Sequence, residues 1–456
     1  MLGLPGPALA DGRYPHWDDL RYREPPPGLT VEQWWAGLKH LRGRSGALIQ
    51  PMAKTYGLPF HVVDYATVKQ RLHEFDRMNV SREFVQALGN HDAQAEYRVR
   101  QRIEESISSS GIEGARPATR DLARQMVREA RPPTSKDERM ILNNWRAMTR
   151  LTELAATENA LRIEHLLELH RILGEDALDH PGIEGTLRTA RDQVVVSDVE
   201  GHVWHTPPPA EGLHQRLEAL LAFANRQDDA GFLHPVLRAI VSHFWLAYEH
   251  PFRDGNGRMA RALFYWCMLK SGYDFAEFMS ISGPIDRSPK KYYLAFAHTE
   301  SDSCDLTYFV VHQLDVMREA LDELLEHLRG RAQRTATLAK LVREFDQLNH
   351  RQRALLQHAI RHPSASYTIE GHALSHQVHY QTARTDMARL VDMGLLQDRR
   401  IEKGKRFYPS GTLAEQMDRR PREELPAPLA LNDEATLQRA PAPPPEVQRP
   451  DLVAFN

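Results

Sequence analysis

Cysteine is scarce in this 456-residue chain: only Cys267 and Cys304 occur, far apart and in apolar or mixed surroundings. Such a pair is no disulfide framework, and a reducing, cytosolic compartment fits best. Long apolar runs are missing as well. No stretch reaches the ~18 uncharged residues a membrane helix needs. The opening MLGLPGPALADG has neither a basic leader nor a long apolar segment. A soluble, cytoplasmic protein with no membrane partner is therefore expected. Nor is there an excess of charge: 58 Lys and Arg stand against 61 Asp and Glu, a formal net charge of −3. Near-neutrality argues against a protein that coats nucleic acid or membrane, so any basic patch must be local. A GxxxxGK segment is also lacking, which argues against an ordinary P-loop ATPase.

What is present is length and helical texture. The chain exceeds what one core serves, so two or three domains are expected, and 41% apolar residues suffice to fold them. Charged and apolar residues recur at helical spacing while β-branched runs are few, so the fold class is mainly α. After a Pro- and Gly-rich opening, Thr30 reads as an N-cap reciprocated by Gln33, heading a helix with Trp34 and Trp35. A charged helical pattern runs from about Glu83 to Ser109, with a break at Gly89-Asn90, and ends in the cluster Ser108-Ser109-Ser110-Gly111. Helices are expected near 136–157, 163–173 and 211–224. Between Arg191 and Trp204, Val194-Val195-Val196 and Val203-Trp204 flank a polar turn and read as a short hairpin.

Leu237, Ile240, Val241, Phe244 and Tyr248 form one apolar helix face that must stop at Pro251. Met259, Ala262, Leu263 and Trp266 begin another. Between them lies His250-Pro251-Phe252-Arg253-Asp254-Gly255-Asn256-Gly257-Arg258-Met259-Ala260-Arg261, too polar to be core. Two glycines around an asparagine, where a loop becomes a helix, leave backbone amides open as an anion cradle. Arg258 and Arg261, three apart on the new helix, can reach the same polyphosphate. Asp254 is a hard ligand for the Mg²⁺ such a phosphate carries, and His250 can act as a base. Each residue alone is an ordinary turn residue. Their coincidence between two strongly apolar helices points to chemistry.

This segment resembles the Fic signature HPFx(D/E)GNGRxxR and matches it at every specified position. The resemblance implies an all-α Fic (Fido) domain over residues 95–315 that uses ATP and Mg²⁺ to transfer AMP to a Ser, Thr or Tyr hydroxyl of a target protein. By the same resemblance His250 is the base, Phe252 a core anchor and Asp254 the metal ligand. Gly255, Asn256 and Gly257 would hold the α- and β-phosphates, with Arg258 and Arg261 on the β- and γ-phosphates. The hairpin at 194–204 looks like the family's flap, whose strand edge holds the target.

Ser109-Ser110-Gly111-Ile112-Glu113-Gly114 resembles the family's inhibitory motif (S/T)xxxE(G/N), with Ser109, Glu113 and Gly114 at its fixed positions. Glu113 would then pair with Arg261 and occupy the γ-phosphate's partner, although Gly111 weakens helix by up to ~1 kcal/mol and would loosen this latch. Beyond a linker helix at 316–347, residues 348–410 carry helices at 352–361, 373–376 and 382–393. The basic stretch Arg399-Arg400 to Lys405-Arg406 follows, as the wing of a winged helix-turn-helix would. DNA is one partner for this unit and another protein is the alternative, because Asp386 and Asp392 offset Arg384 and Arg389 on the third helix. Residues 1–94 form an N-terminal helical region whose Trp34-Trp35 helix leaves a homodimer open, and 411–456 read as a disordered Pro-rich tail. Three functions remain: an AMP transferase restrained by Glu113, a hydrolase removing AMP from protein through Glu113, or a DNA-binding regulator with a Fic sensor.

Overall fold

The structure is a computed structural model and describes residues 6–49, 59–89, 91–115, 120–128, 131–178, 182–197, 203–227, 231–344, 347–362, 365–401 and 404–410. The tail expected to be disordered and the turn at 198–202 of the expected hairpin lie outside the described residues. Two compact units are present, residues 1–325 and the chain from 326 onward.

The larger unit opens with α1 (Trp17–Leu20) and α2 (Val31–Ser45). Thr30 caps α2 through a capping box, with Gln33 Nα reaching Thr30 Oγ1 at 3.3 Å and Thr30 N reaching Gln33 Oε1 at 2.9 Å. A hairpin follows that periodicity did not signal, β1 (Gly46–Leu48) against β2 (His61–Val63). Next come α3 (Ala66–Asn79), α4 (Arg82–Leu88), α5 (His91–Ile112), α6 (Arg120–Arg128), α7 (Lys136–Thr157) and α8 (Ile163–Gly174). The second hairpin is β3 (Val196–Ser197) with β4 (Val203–His205), antiparallel. Then come α9 (Leu213–Ala224), α10 (Pro235–Glu249), α11 (Asn256–Lys270), a 3-10 turn at Asp274–Phe278, α12 (Ser282–Arg287), α13 (Pro289–Ser301) and α14 (Thr307–Glu344). The helix expected as a linker over 316–347 is thus the later part of α14, and residue 95 falls inside α5.

α10 and α11 are the central pair, packed more extensively on each other than any other two elements. Thirteen residues of α10 are buried, including Arg238, Ser242, His243 and Glu249, so the helix is enclosed on all sides and not on one face. Its two charged members are paired locally: Arg238 Nη1 donates to the Phe223 carbonyl at 2.6 Å, and Glu249 Oε2 accepts from Arg216 Nε at 2.8 Å.

α5 does not end at the small-residue cluster. It continues through Ser108–Gly111 to Ile112, and Gly114 in the left-handed region (φ 93°) stops it. Ala115 N donates to Ser110 O and Gly114 N to Gly111 O, both at 3.0 Å, which is the Schellman pattern with Glu113 at the C-cap. Gly111 is held by space: an added Cβ would stand 3.0 Å from Asp286 Oδ1 of α12. The glycine expected to loosen the helix is therefore where α12 approaches it.

The second unit contains α15 (His350–Arg361), α16 (Ile369–His376), α17 (Tyr380–Asp392) and the antiparallel pair β5 (Leu396–Ile401) and β6 (Gly404–Pro409). Its core gathers Leu355, Leu356, Met387, Leu390, Leu396 and Phe407. Asp386, expected on an exposed face, is buried. Its carboxylate accepts from Asn349 Nδ2 at 2.7 Å and Arg351 Nε at 2.6 Å, tying α15 to α17. Among the described residues no helix is long and apolar enough to cross a membrane.

Candidate active site

α10 stops at the residue before Pro251, and His250 takes the C-cap in the left-handed region (φ 46°, ψ 59°). That conformation costs a non-glycine residue roughly 1–2 kcal/mol. Arg188 stabilises it from outside: Nε donates to the His250 carbonyl at 2.8 Å, Nη2 to the Glu249 carbonyl at 3.1 Å, and its own amide to the Pro251 carbonyl at 2.9 Å. His250 Nδ1 lies 3.2 Å from the Ala247 carbonyl, which can only accept, so Nδ1 carries the proton and Nε2 keeps a bare lone pair. Burial, assisted by the nearby His205, pushes the imidazole down to about 3, so it is neutral at physiological pH.

The loop then folds on itself. Asn256 Oδ1 accepts from Phe252 N and Asn256 Nδ2 donates to Phe252 O, both at 2.9 Å, so the side chain is spent as a clamp. Only its backbone amide remains for an anion. Gly255, left-handed at φ 79°, is the N-cap of α11, whose first amides open outward with the positive end of the helix.

Arg258 is 1% exposed, and among the described residues nothing hydrogen-bonds to any of its guanidinium nitrogens. Its nearest counter-charge is Asp254 Oδ1 at 3.8 Å from Nη2. A buried cation without hydrogen bonds is costly, and an anion at this spot removes the cost. Arg261, equally buried, donates from Nε to Ser109 Oγ, and from Nη2 to the Ser109 carbonyl and to Glu113 Oε1, each at 2.8 Å.

Glu113, His250, Asp254, Gly255, Asn256, Gly257 and Arg261 line one cavity of about 430 Å³. Tyr292, Tyr293 and Phe296 of α13 form one wall, and Val194, Val195, Val196 and Trp204 of the hairpin form another. Arg258 does not reach the lining; it stands behind Gly255, whose Cβ position would lie 3.4 Å from its Nη2. Polar and charged groups converging between partly apolar walls are what a binding site for a charged ligand requires.

Residues 160–268 match the family model of the Fic/DOC family. Over those residues the chain is similar to the Fic/DOC family. Over 121 residues it is 36% identical to the protein adenylyltransferase Fic of Nematostella vectensis, a match covering 26% of each chain. The protein adenylyltransferase Fic of Drosophila yakuba is 37% identical over 115 residues, 25% of this chain and 21% of that one. The chain thus spans about a quarter of the curated relatives it matches. Among solved structures, a Fic family protein from Desulfovibrio desulfuricans G20 aligns with a TM-score of 0.48 at 18% identity, covering 76% of this chain and 95% of that one.

The matched segment includes His250–Arg261 and both hairpin strands but not Ser109, Glu113 or Gly114, which α5 brings to it from outside. Glu113 violates a local rule. A carboxylate at a helix C-terminus is disfavoured by up to about 1 kcal/mol. Its compensation is Arg261 and the amide end of α11, and it lies so close that a Cβ on Gly257 would collide with Glu113 Oε1. Asp254 Oδ1 accepts from Gly255 N at 2.5 Å, while its other oxygen has no hydrogen-bond partner among the described residues. One carboxylate oxygen free of hydrogen bonds, beside a guanidinium that none reaches, fits Mg²⁺ that arrives with a polyphosphate.

Sequence reasoning missed Arg188 and His170. His170 on α8 is fully buried, and burial pushes its imidazole down to about 4. Its only local signal is a polar residue on an apolar helix face, which far more often means a satisfied core group. His205, at the end of β4, bridges Glu300 Oε2 and the Tyr248 carbonyl at 2.8 Å each, joining the hairpin to α13 and α10.

Proposed function

We propose that this chain is a protein adenylyltransferase that moves AMP from ATP onto a hydroxyl side chain of another protein. The buried guanidinium of Arg258 carries this reading: no described residue hydrogen-bonds it, it faces Asp254 only at 3.8 Å, and from its place behind Gly255 it favours an anion in the amide cradle of α11. The sequence relatives, protein adenylyltransferases Fic, agree with it. His250 Nε2 accepts the proton of the target hydroxyl. The hydroxyl oxygen then forms its bond to the α-phosphorus as the bond to the α–β bridging oxygen breaks, and pyrophosphate leaves. The amides of Gly255, Asn256 and Gly257 with Arg261 hold the phosphates, and the charge of Arg258 supports them from behind Gly255. Mg²⁺ bound through Asp254 would neutralise charge on the departing pyrophosphate. A bound triphosphate also brings negative charge close to His250, which raises the basicity that burial depresses. The hairpin β3–β4 would hold the target segment through its open strand edge.

We further propose that Glu113 restrains the enzyme. Its carboxylate takes the Arg261 nitrogen that a γ-phosphate needs and lies against the Cα of Gly257, so ATP binds out of line. Replacing Glu113 by Gly is expected to raise transfer by one or more powers of ten, each worth ~1.4 kcal/mol. Intact-mass measurement of the variant with ATP and Mg²⁺ reads this as AMP adducts on itself or on added protein, and Arg261→Ala should abolish the gain. Wild-type rates in Glu113→Gly would sink the restraint, and loss of AMP removal in that variant would turn the reading to a hydrolase.

For the unit from residue 326 onward we propose a nucleic-acid contact, as a winged helix would make. With Asp386 withdrawn into a buried pair, the exposed residues of α17 include Tyr380, Thr382, Arg384, Thr385 and Arg389, with Asp392 the exposed acidic residue. In the hairpin, Arg399 pairs across from Arg406 and Arg400 from Lys405. Like charges directly opposite one another are destabilising by themselves and become favourable against phosphates.

A further inference from the structure

The reaction loop is held at three points, two of which are described above: Arg188 grips its start at His250, and the Asn256 side chain clamps its interior. The third is His170, far away in sequence. Its ring stacks on Phe252 with centroids 3.8 Å apart and planes within 4°. Gly185 N donates to His170 Nδ1 at 2.9 Å, and His170 Nε2 lies 2.9 Å from the carbonyl of Asp254. An amide N–H can only donate and a carbonyl can only accept, so Nδ1 is bare and Nε2 carries the proton. The hydrogen bonds themselves select one neutral tautomer.

Both ends of this bridge are rigid. Gly185 is left-handed at φ 70°, and a Cβ there would stand 2.8 Å from the Leu167 carbonyl oxygen, so its amide is locked in place by α8 itself. At the other end, the Asp254 carbonyl and the Gly255 nitrogen belong to one planar peptide unit. Fixing that carbonyl fixes the direction of the Gly255 N–H, which the Asp254 carboxylate accepts at 2.5 Å, and fixes how the chain enters α11.

We propose that His170 is a positioning residue: hung from the Gly185 amide, its neutral ring sets the rotation of the Asp254–Gly255 peptide, and with it the direction of the Asp254 carboxylate and of the first amides of α11. The consequence for metal and phosphate rests on the nucleotide-binding reading of the same cavity. The bridge itself does not.

Two variants of the full chain separate positioning from packing. His170→Phe keeps an aromatic ring against Phe252 and loses both hydrogen bonds, whereas His170→Gln loses the stack and retains an acceptor and a donor. One readout needs no activity: amide hydrogen exchange at Gly185, Gly255 and Asn256. It is expected to quicken about tenfold or more in His170→Phe and to be largely restored in His170→Gln. The other is Mn²⁺ affinity in the presence of a non-hydrolysable ATP analogue, expected to weaken about tenfold in His170→Phe with recovery in His170→Gln. Affinity for the analogue without metal should change much less. Wild-type exchange and wild-type Mn²⁺ affinity in His170→Phe overturn the proposal, as does a His170→Gln variant no better than His170→Phe. A wild-type chain that binds neither Mn²⁺ nor the analogue overturns the nucleotide reading alone, and the exchange rates then decide the role of His170. Should His170→Phe fail to fold, His170→Leu takes its place against His170→Gln and wild type in the same two readouts.

Discussion

At the scale of single residues, the chemistry depends on how His250 is held. The left-handed C-cap, the Ala247 carbonyl on Nδ1 and the Arg188 contacts on the backbone leave Nε2 as the free basic atom. His250→Ala is therefore expected to leave ATP binding nearly intact while transfer falls ~10²- to 10⁴-fold, a split that nucleotide titration and single-turnover rates would resolve. An unchanged transfer rate would remove His250 from the mechanism. Gly257 makes a second case, because its side of α11 has no room for a methyl group beside Glu113. Gly257→Ala should cost about 1–3 kcal/mol of stability in the wild type, as overpacking does, and clearly less in a Glu113→Gly background. Denaturant unfolding of the four proteins gives the coupling, and additive losses would mean that Glu113 does not stand where the structure has it. These residues differed in how far sequence could find them. The run from His250 to Arg261 is contiguous and was legible as a cradle. His170 and Arg188 are not adjacent to it in sequence, and each acts on backbone carbonyls, which carry no side-chain code.

At the scale of elements, local rules served where an element's ends are set by its own sequence. The Thr30 capping box and the spans near 136–157 and 163–173 follow from caps and periodicity, and α2, α7 and α8 lie there. α5 was read too short because Ser109 and Gly111 are poor helix formers taken alone. Tertiary partners make them tolerable: Arg261 bonds Ser109, and Asp286 fills the space beside Gly111. The pair β1–β2 was missed because its strands are three residues each and twelve residues separate them. In the C-terminal unit the balance of charge on α17 was misjudged for the same reason, since burial of Asp386 depends on Arg351 of another helix. Arg384 and Arg389 then face only Asp392 on the outside of α17, a weakly basic balance to which the β5–β6 hairpin adds. Removing charge at Arg399, Arg400 and Lys405 should weaken binding to duplex DNA and flatten its salt slope by up to about 3. Lys405 already pairs with Asp398 at 2.6 Å, so a smaller change is expected from that position than from Arg399. No measurable binding by the intact protein at low salt would favour a protein partner for this unit.

At the scale of the whole molecule, two units with separate cores should not unfold as one cooperative step, so a stability measurement must say which unit it follows. The larger one has a built-in acid sensitivity. His243 is fully buried on α10, with Nε2 2.8 Å from Tyr292 Oη, and burial, with Arg261 nearby, holds its imidazole well below the ordinary 6.5. His312 on α14 is pushed down to about 4, by burial first and by Lys291 second. In both cases the folded chain refuses a proton that the unfolded chain accepts. The stability these groups contribute is thus complete above pH 6.5 and is lost as pH falls from there toward their folded-state values. Each contributes a slope of up to about 1.4 kcal/mol per pH unit, so the pair reaches about 3. Carboxylates work in a different window. Glu138, lowered from 4.5 by the Thr134 amide and by Arg131 against the opposing effect of burial, loses its contribution only below about pH 4.5. Between pH 6.5 and 4.5 the histidines therefore dominate. His170 and His250, pushed down in the same way, add to this, so the melting transition of the larger unit is expected to fall by several degrees or more across that range, and His312→Gln should remove roughly a quarter of the fall. A melting temperature that stays flat from pH 7 to pH 5 would show that these rings open to water before the unit unfolds.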